Sequence, residues 1–198
     1  MKGFSNMLKL GAILALFATA ACVMLAFVYD GTQAIIARRQ KADLEAALKE
    51  LFPDADAFEE IANIQSPDQA VTVESAYAAI KNNKTAGACL RVSRASYGGP
   101  IIILAGVSAE GIITGVKIME HSDTPGLGAN AASPSYYVDR AKGVTFYGQF
   151  AGKKVTDPFE VKADVAAVTA STISSRAVAD SVKAASLAVK EWFSGGAK

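Results

Sequence analysis

Near its C-terminal end the chain reads Thr169-Ala170-Ser171-Thr172-Ile173-Ser174-Ser175, a run in which five of seven residues carry a hydroxyl. Two chemistries suit it. One is capping, with Ser174 or Ser175 accepting the free N–H groups of a helix that begins near Arg176. The other is phosphate binding. A helix start offers unpaired N–H groups and the positive end of a dipole, hydroxyls add donors, and a small residue such as Ala170 lets the backbone approach. A threonine hydroxyl placed there can also be the nucleophile of a phosphoryl transfer. No histidine stands near it in sequence, so catalysis of such a transfer would fall to another protein.

Two further segments bear on a bound group. His121-Ser122-Asp123-Thr124-Pro125-Gly126-Leu127-Gly128 reads as a tight Pro-Gly turn that ends a strand. It also reads as a rigid loop presenting Thr124 and Leu127 to a flat ring, since Pro125 fixes φ and Gly126 and Gly128 allow close approach. His121 has no acid–base partner in sequence and is taken as a solvated residue at the strand end. Tyr97-Gly98-Gly99-Pro100 forms a turn, with Tyr97 capping the core or, alternatively, stacking on a ring.

Elements must position these segments. Leu10 to Tyr29 is free of charge and apolar; at about 1.5 Å per residue it covers roughly 30 Å, the hydrocarbon thickness of a bilayer. A cleaved signal peptide would have a shorter apolar region, and a lipoprotein site at Cys22 would want a large aliphatic residue where Thr19 stands. A retained helix, ended at Asp30-Gly31, is expected. Lys2 and Lys9 favour a cytoplasmic N-terminus; Arg38, Arg39 and Lys41 pull the other way, but long domains translocate despite such charge. Thr32 is a candidate N-cap for a helical stretch to Leu51, stopped by Pro53, which either continues the membrane helix as a stalk or packs on the domain as an amphipathic helix.

Beyond it, 54–70 is polar and mixed, and Val71 to Lys81 is either strand or helix. Asn82-Asn83-Lys84 is a turn. Ala86 to Ala95 is a strand, Ile101 to Val107 is a strand buried on both faces, and Ala109-Glu110-Gly111 joins it to Ile112–Met119. Ala129 to Lys142 reads as helix, Val155 to Val161 as a short strand, and Arg176 to Phe193 as a helix burying Val178, Val182, Ala185, Val189 and Phe193. The fold class is α+β: one N-terminal transmembrane helix, then a mixed or antiparallel sheet with flanking helices. The expected divisions are 1–30, a helical stalk over 31–53, and a domain over 54–198.

Composition excludes other classes. Twenty basic and 19 acidic residues give a net charge of +1 with no dense basic patch, which argues against a nucleic-acid partner. The two cysteines form no CxxC pair and His121 is the sole histidine, so no metal site can be argued from the chain.

Taken together, the motifs resemble a known family. Thr169-Ala170-Ser171-Thr172-Ile173-Ser174 is similar to the flavin-attachment signal of the FMN-binding subunits of Rnf and sodium-pumping NADH:quinone oxidoreductase complexes. Asp164 stands upstream, where that signal usually has an aspartate. The family's His-x-Glu-Thr-Pro-Gly-Leu-Gly loop is matched by His121 to Gly128, with Asp123 in place of Glu. Tyr97 to Gly99 and the single anchor also match, and the shortness of the chain favours the G subunit of Rnf. The resemblance implies FMN joined by a phosphoester to Thr172, delivered from FAD by a flavin transferase. It implies FMN contacts from Thr169, Ala170, Ser171, Ser174, His121, Asp123, Thr124, Gly126 and Leu127. It further implies electron relay in a ferredoxin:NAD oxidoreductase of the cytoplasmic membrane, with iron–sulfur, flavin and integral membrane subunits as partners and the FMN domain outside the cytoplasm. The alternatives are a counterpart of the FMN-binding C subunit in the quinone-reducing complex, a stand-alone anchored flavin reductase, and a non-redox anchored binding or assembly protein.

Overall fold

The structure, a computed structural model, describes residues 2–195; the side chains of Lys2 and Ser5 lie outside the description. Helix α1 runs unbroken over Lys2–Leu51 and is long and apolar enough to cross a membrane. The stop expected at Asp30-Gly31 and the cap expected at Thr32 are therefore corrected. A glycine inside a helix costs only about 1 kcal/mol, which good helix formers on both sides outweigh. The Thr32 hydroxyl, no longer a cap, donates back to the carbonyls of Val28 (2.8 Å) and Tyr29 (3.1 Å). The helix stops before Phe52, because a residue preceding proline is pushed out of the α region.

Residues 1–45 and 46–198 form two separate compact units, so the last turn of α1 belongs to the second. That unit is built on an antiparallel meander in the order β1 (Ala57–Glu60), β2 (Val71–Lys81), β3 (Lys84–Ala95), β4 (Pro100–Ser108) and β5 (Ile113–Glu120). Val71 to Lys81, open between helix and strand from sequence, is a strand paired along its length with β3. The expected turn between them is made by Asn82 and Asn83, both left-handed (φ 50° and 59°), the conformation a two-residue hairpin needs. The β4–β5 turn likewise falls at Ala109–Ile112, with Gly111 at φ 75°.

Both faces of the sheet are covered. Helix α2 (Thr172–Ser194) packs on β3 and β4, and its Val178, Val182, Ala185 and Val189 join Ile101, Ile103, Ala105 and Val107 in the main core. Phe146, Phe150 and Phe159 close this core, with ring centroids 5.8 and 6.4 Å apart along the series. Arg94 of β3 pairs with Asp180 of α2 and with Asp68, each at 3.0 Å. On the opposite face the end of α1 seats Leu51 and Phe52 over a bald strip of glycines. A Cβ at Gly87 would lie 2.5 Å from the Phe52 ring, one at Gly106 3.2 Å from it, and one at Gly115 2.8 Å from Leu51. Cys89 and Leu104 are buried here without joining the main core. This explains why Ile101–Val107 is apolar throughout, as expected of a strand buried on both faces.

Three local readings are corrected. The helix expected over Ala129–Lys142 is only a 3-10 turn at Gly128–Ala132, followed by β6 (Tyr137–Asp139), which pairs with β7 (Val144–Thr145). Pro134 stops it, since Ser133 before it takes an extended conformation (φ −76°, ψ 125°). The strand expected over Val155–Val161 is irregular, with one isolated bridge from Val161 to Val165; Phe159 at φ 52° breaks the extended geometry. Helix α2 begins at Thr172 rather than Arg176.

Candidate functional site

The early start of α2 changes the role of each hydroxyl. Ser171, not Ser174 or Ser175, is the N-cap residue, and its side chain makes no capping hydrogen bond. Ser175 is buried; its hydroxyl donates to the Ser171 carbonyl (2.9 Å) and accepts the Val168 N–H (2.9 Å), locking the approach to the helix. Ala170, just before the cap, is left-handed (φ 58°). This bend turns the chain into the helix and leaves Thr172, half-buried, as the first helical residue.

Thr172 opens into a cleft of about 380 Å³, within the roughly 300–1,000 Å³ range of small-ligand sites. One wall is Ala170 to Ser174; the other is Asp123, Thr124, Leu127 and Gly128. Tyr97 stands at the rim. Its side chain is 72% exposed, which corrects its placement in the core, and it joins Ile173 (57%) and Leu127 (43%) as apolar groups open to solvent around the mouth. Beside it, the backbone at Gly98 runs so close to Ser122 and Asp123 that a Cβ there would lie 2.2 Å from the Ser122 carbonyl oxygen.

Asp123 ties the walls together. Its carboxylate is buried and accepts the Gly98 N–H (2.7 Å) and the Ser96 hydroxyl (2.8 Å), and it is hydrogen-bonded by Ser174 in the first turn of α2. Burial acts to raise its pKa, but these three donors and the nearby His121 together hold it below the usual carboxylate value. Gly128 permits this packing; a Cβ there would sit 2.5 Å from the Ser174 hydroxyl and 2.7 Å from the Asp123 carboxylate.

The structure thus brings Thr172, Ala170, Ser171, Ser174, Asp123, Thr124 and Leu127 into one cleft. Gly126 and Thr169 line an adjoining cleft that shares Leu127 and Ala170 with the first. His121 lines neither. Asp164 also lies outside both clefts and staples its own loop, accepting from the N–H groups of Glu160 (2.6 Å) and Phe159 (3.3 Å) and from the Lys153 ammonium (3.0 Å). Burial raises its pKa, and the Lys153 contact with these N–H groups lowers it by more. Sequence reasoning missed Tyr136, whose hydroxyl donates to the Thr169 hydroxyl (3.1 Å) and accepts the Thr169 N–H (3.0 Å). No local pattern links residues so far apart. A larger cleft of about 520 Å³, near Val189–Ser194 and the β4–β5 turn, contains none of the site residues singled out above.

The cleft fits a flavin mononucleotide. The uncapped first turn of α2 keeps donors for a phosphate, and the apolar rim suits a flat ring. Fold and site define a small nucleotide-holding domain of the FMN-binding class, and the family model for the FMN-binding domain matches residues 96–186. A second model, the RnfG N-terminal region, matches residues 1–51. The chain is 30% identical to the G subunit of an ion-translocating oxidoreductase complex from Methanosarcina acetivorans, over 93% of this chain and 95% of that one. It is 33% identical to the G subunit of the proton-translocating ferredoxin:NAD(+) oxidoreductase complex of Clostridium ljungdahlii, over 82% and 80%. It is 29% identical to the G subunit of the Na(+)-translocating ferredoxin:NAD(+) oxidoreductase complex of Acetobacterium woodii, over 88% and 87%. The chain belongs to the family of G subunits of ion-translocating oxidoreductase complexes.

Proposed function

We propose that this chain is the electron-relaying G subunit of a membrane ferredoxin:NAD oxidoreductase and carries FMN as a phosphoester on Thr172. The observation that carries the reading is that Thr172, at the first turn of α2, shares one cleft with the Asp123–Gly128 loop and Tyr97. In attachment, the Thr172 oxygen forms a bond to the flavin-side phosphorus of FAD. The bond from that phosphorus to the bridging oxygen breaks, AMP leaves with that oxygen, and the hydroxyl proton passes to a base on a flavin transferase.

Bound FMN supplies redox chemistry that no side chain in the cleft provides. The protein's part is retention and placement. The first-turn N–H groups of α2 and its dipole oppose the phosphate charge. Leu127, Ile173 and Tyr97 shield the ring from water, and Asp123 holds the loop against the helix. A covalent tether keeps the cofactor at high effective concentration outside the cytoplasm, where none is resupplied. In this reading α1 spans the cytoplasmic membrane with its N-terminus inside, and iron–sulfur, flavin and integral membrane subunits surround the domain.

Intact-mass measurement of the chain made in cells with the transferase tests the attachment. One FMN phosphoester is expected, and Thr172→Val abolishes both the added mass and the flavin fluorescence of the denatured band. Fluorescence that survives this substitution would refute Thr172 as the site. Protease added to right-side-out vesicles should digest the domain; digestion only in inverted vesicles would reverse the orientation.

A further inference from the structure

Asp123 does more than join the walls of the site. Its carboxylate is buried and lines the flavin cleft. Among the described residues, no Lys, Arg or His lines that cleft with it, and it forms no salt bridge. Its donors are the Gly98 N–H (2.7 Å), the Ser96 hydroxyl (2.8 Å) and the Ser174 hydroxyl, all neutral. His121 acts on it only through space, from an exposed position outside the cleft. The three donors favour the ionised form without cancelling its charge. A buried negative charge therefore lies in the wall of the cofactor cleft with no paired cation to offset it.

Such a charge opposes the arrival of another. Reduction of a neutral flavin brings two electrons from an electron carrier and one proton from solvent, and leaves one negative charge on the ring. Salt screens exposed charges beyond about 8–10 Å, and buried charges are screened much less. The rest of the ring's surroundings are apolar or uncharged: Leu127, Ile173, Tyr97, Thr124 and Ala170. We infer that the Asp123 carboxylate holds down the reduction potential of FMN in this cleft, which makes the reduced cofactor a stronger electron donor. Asp123 takes up neither electron nor proton in this role; it sets the electrostatic field in which the ring is reduced. The inference rests on FMN occupying this cleft. It separates the charge of Asp123 from the hydrogen bonds by which the same carboxylate ties the loop to α2.

The test is a spectroelectrochemical titration of the full-length, FMN-loaded chain in detergent. Mildly alkaline buffer is used, so that the reduced ring keeps its negative charge. At a fixed electrode potential, Asp123→Asn should raise the ratio of reduced to oxidised flavin at least tenfold, equivalent to about 30 mV for a two-electron couple. Ser96→Ala removes one donor and loosens the walls but keeps the charge, so it should not raise the ratio. Where Asp123→Asn does not fold, Thr124→Lys sets a cation on the same wall at an exposed position and should raise the ratio instead. An unchanged or lowered ratio in Asp123→Asn, an equal rise in Ser96→Ala, or no rise in the fallback Thr124→Lys would overturn the inference alone. Native wild-type chain that carries no flavin would overturn the reading of the site and this inference with it, and is seen before any titration begins.

Discussion

The Asp123 carboxylate and the Ser174 hydroxyl meet at the base of the cleft, and Gly128 lies against both. This contact joins the loop after β5 to the first turn of α2. The two walls of the site are therefore one hydrogen-bonded unit rather than two loops that happen to approach.

Gly128→Ala should break that unit. The added Cβ would fall 2.5 Å from Ser174 and 2.7 Å from Asp123, both buried, so neither can swing away. A loss of about 1–3 kcal/mol is expected, as for overpacked cores. Urea denaturation of fragment 46–198 measures it, and a change under about 0.5 kcal/mol, the scatter of ordinary surface substitutions, would show that the walls are not rigidly joined.

Asp123→Asn tests the charge. The folded-state pKa of Asp123 is lowered from 3.8, so its contribution to stability is fully present above about that pH and is lost as pH falls through the lower folded value. Asn keeps the shape but not the charge-assisted bonds. The variant should be less stable than the parent at pH 7, and the gap should narrow as pH drops below 3.8. A gap that is constant across that window would assign the effect to shape alone.

Ala170 is left-handed at φ 58°, a conformation that costs a non-glycine residue roughly 1 kcal/mol. Glycine removes that strain but frees the unfolded chain, so Ala170→Gly should be close to neutral. A β-branched residue is far worse in this region. Ala170→Val should destabilise by about 1–2 kcal/mol and reduce flavin incorporation, read by the melting temperature and by flavin content per chain.

Tyr136→Phe removes the hydroxyl that serves both the N–H and the hydroxyl of Thr169. The site is partly open, so water replaces some of the loss, and about 0.5–1.5 kcal/mol is expected. Faster hydrogen exchange confined to residues 168–171 would mark the loosened segment. Exchange that stays at parental rates there would show the bond to be dispensable.

The strands that position the site were legible because their signals are local. The Asn82-Asn83 turn needs left-handed residues, and the apolar run Ile101–Val107 announced a strand covered on both sides. The segments read wrongly owe their shape to distant partners. Alanines suggested a helix over 129–142, yet Pro134 and the β6–β7 pairing decide it. The hydroxyl run looked like a cap for a later helix because nothing in it shows that Ser175 turns inward to Val168 and Ser171. Tyr97 could equally cap the core or stack on a ring by residue type alone, and only the folded chain shows it exposed at the rim of the cleft.

The glycine strip under the end of α1 has a chemical consequence. Cys89 stands directly across from Gly106 in the sheet, fully covered, and burial pushes its thiol well above the ordinary cysteine range. An un-ionised, shielded thiol does not react with maleimides or oxidants. In a Cys22→Ser chain the labelling rate of Cys89 therefore counts how often the covering turn of Leu51 and Phe52 lifts from the sheet. Phe52→Ala should accelerate it, which makes one inert sulfur a clock for the opening of the face opposite α2.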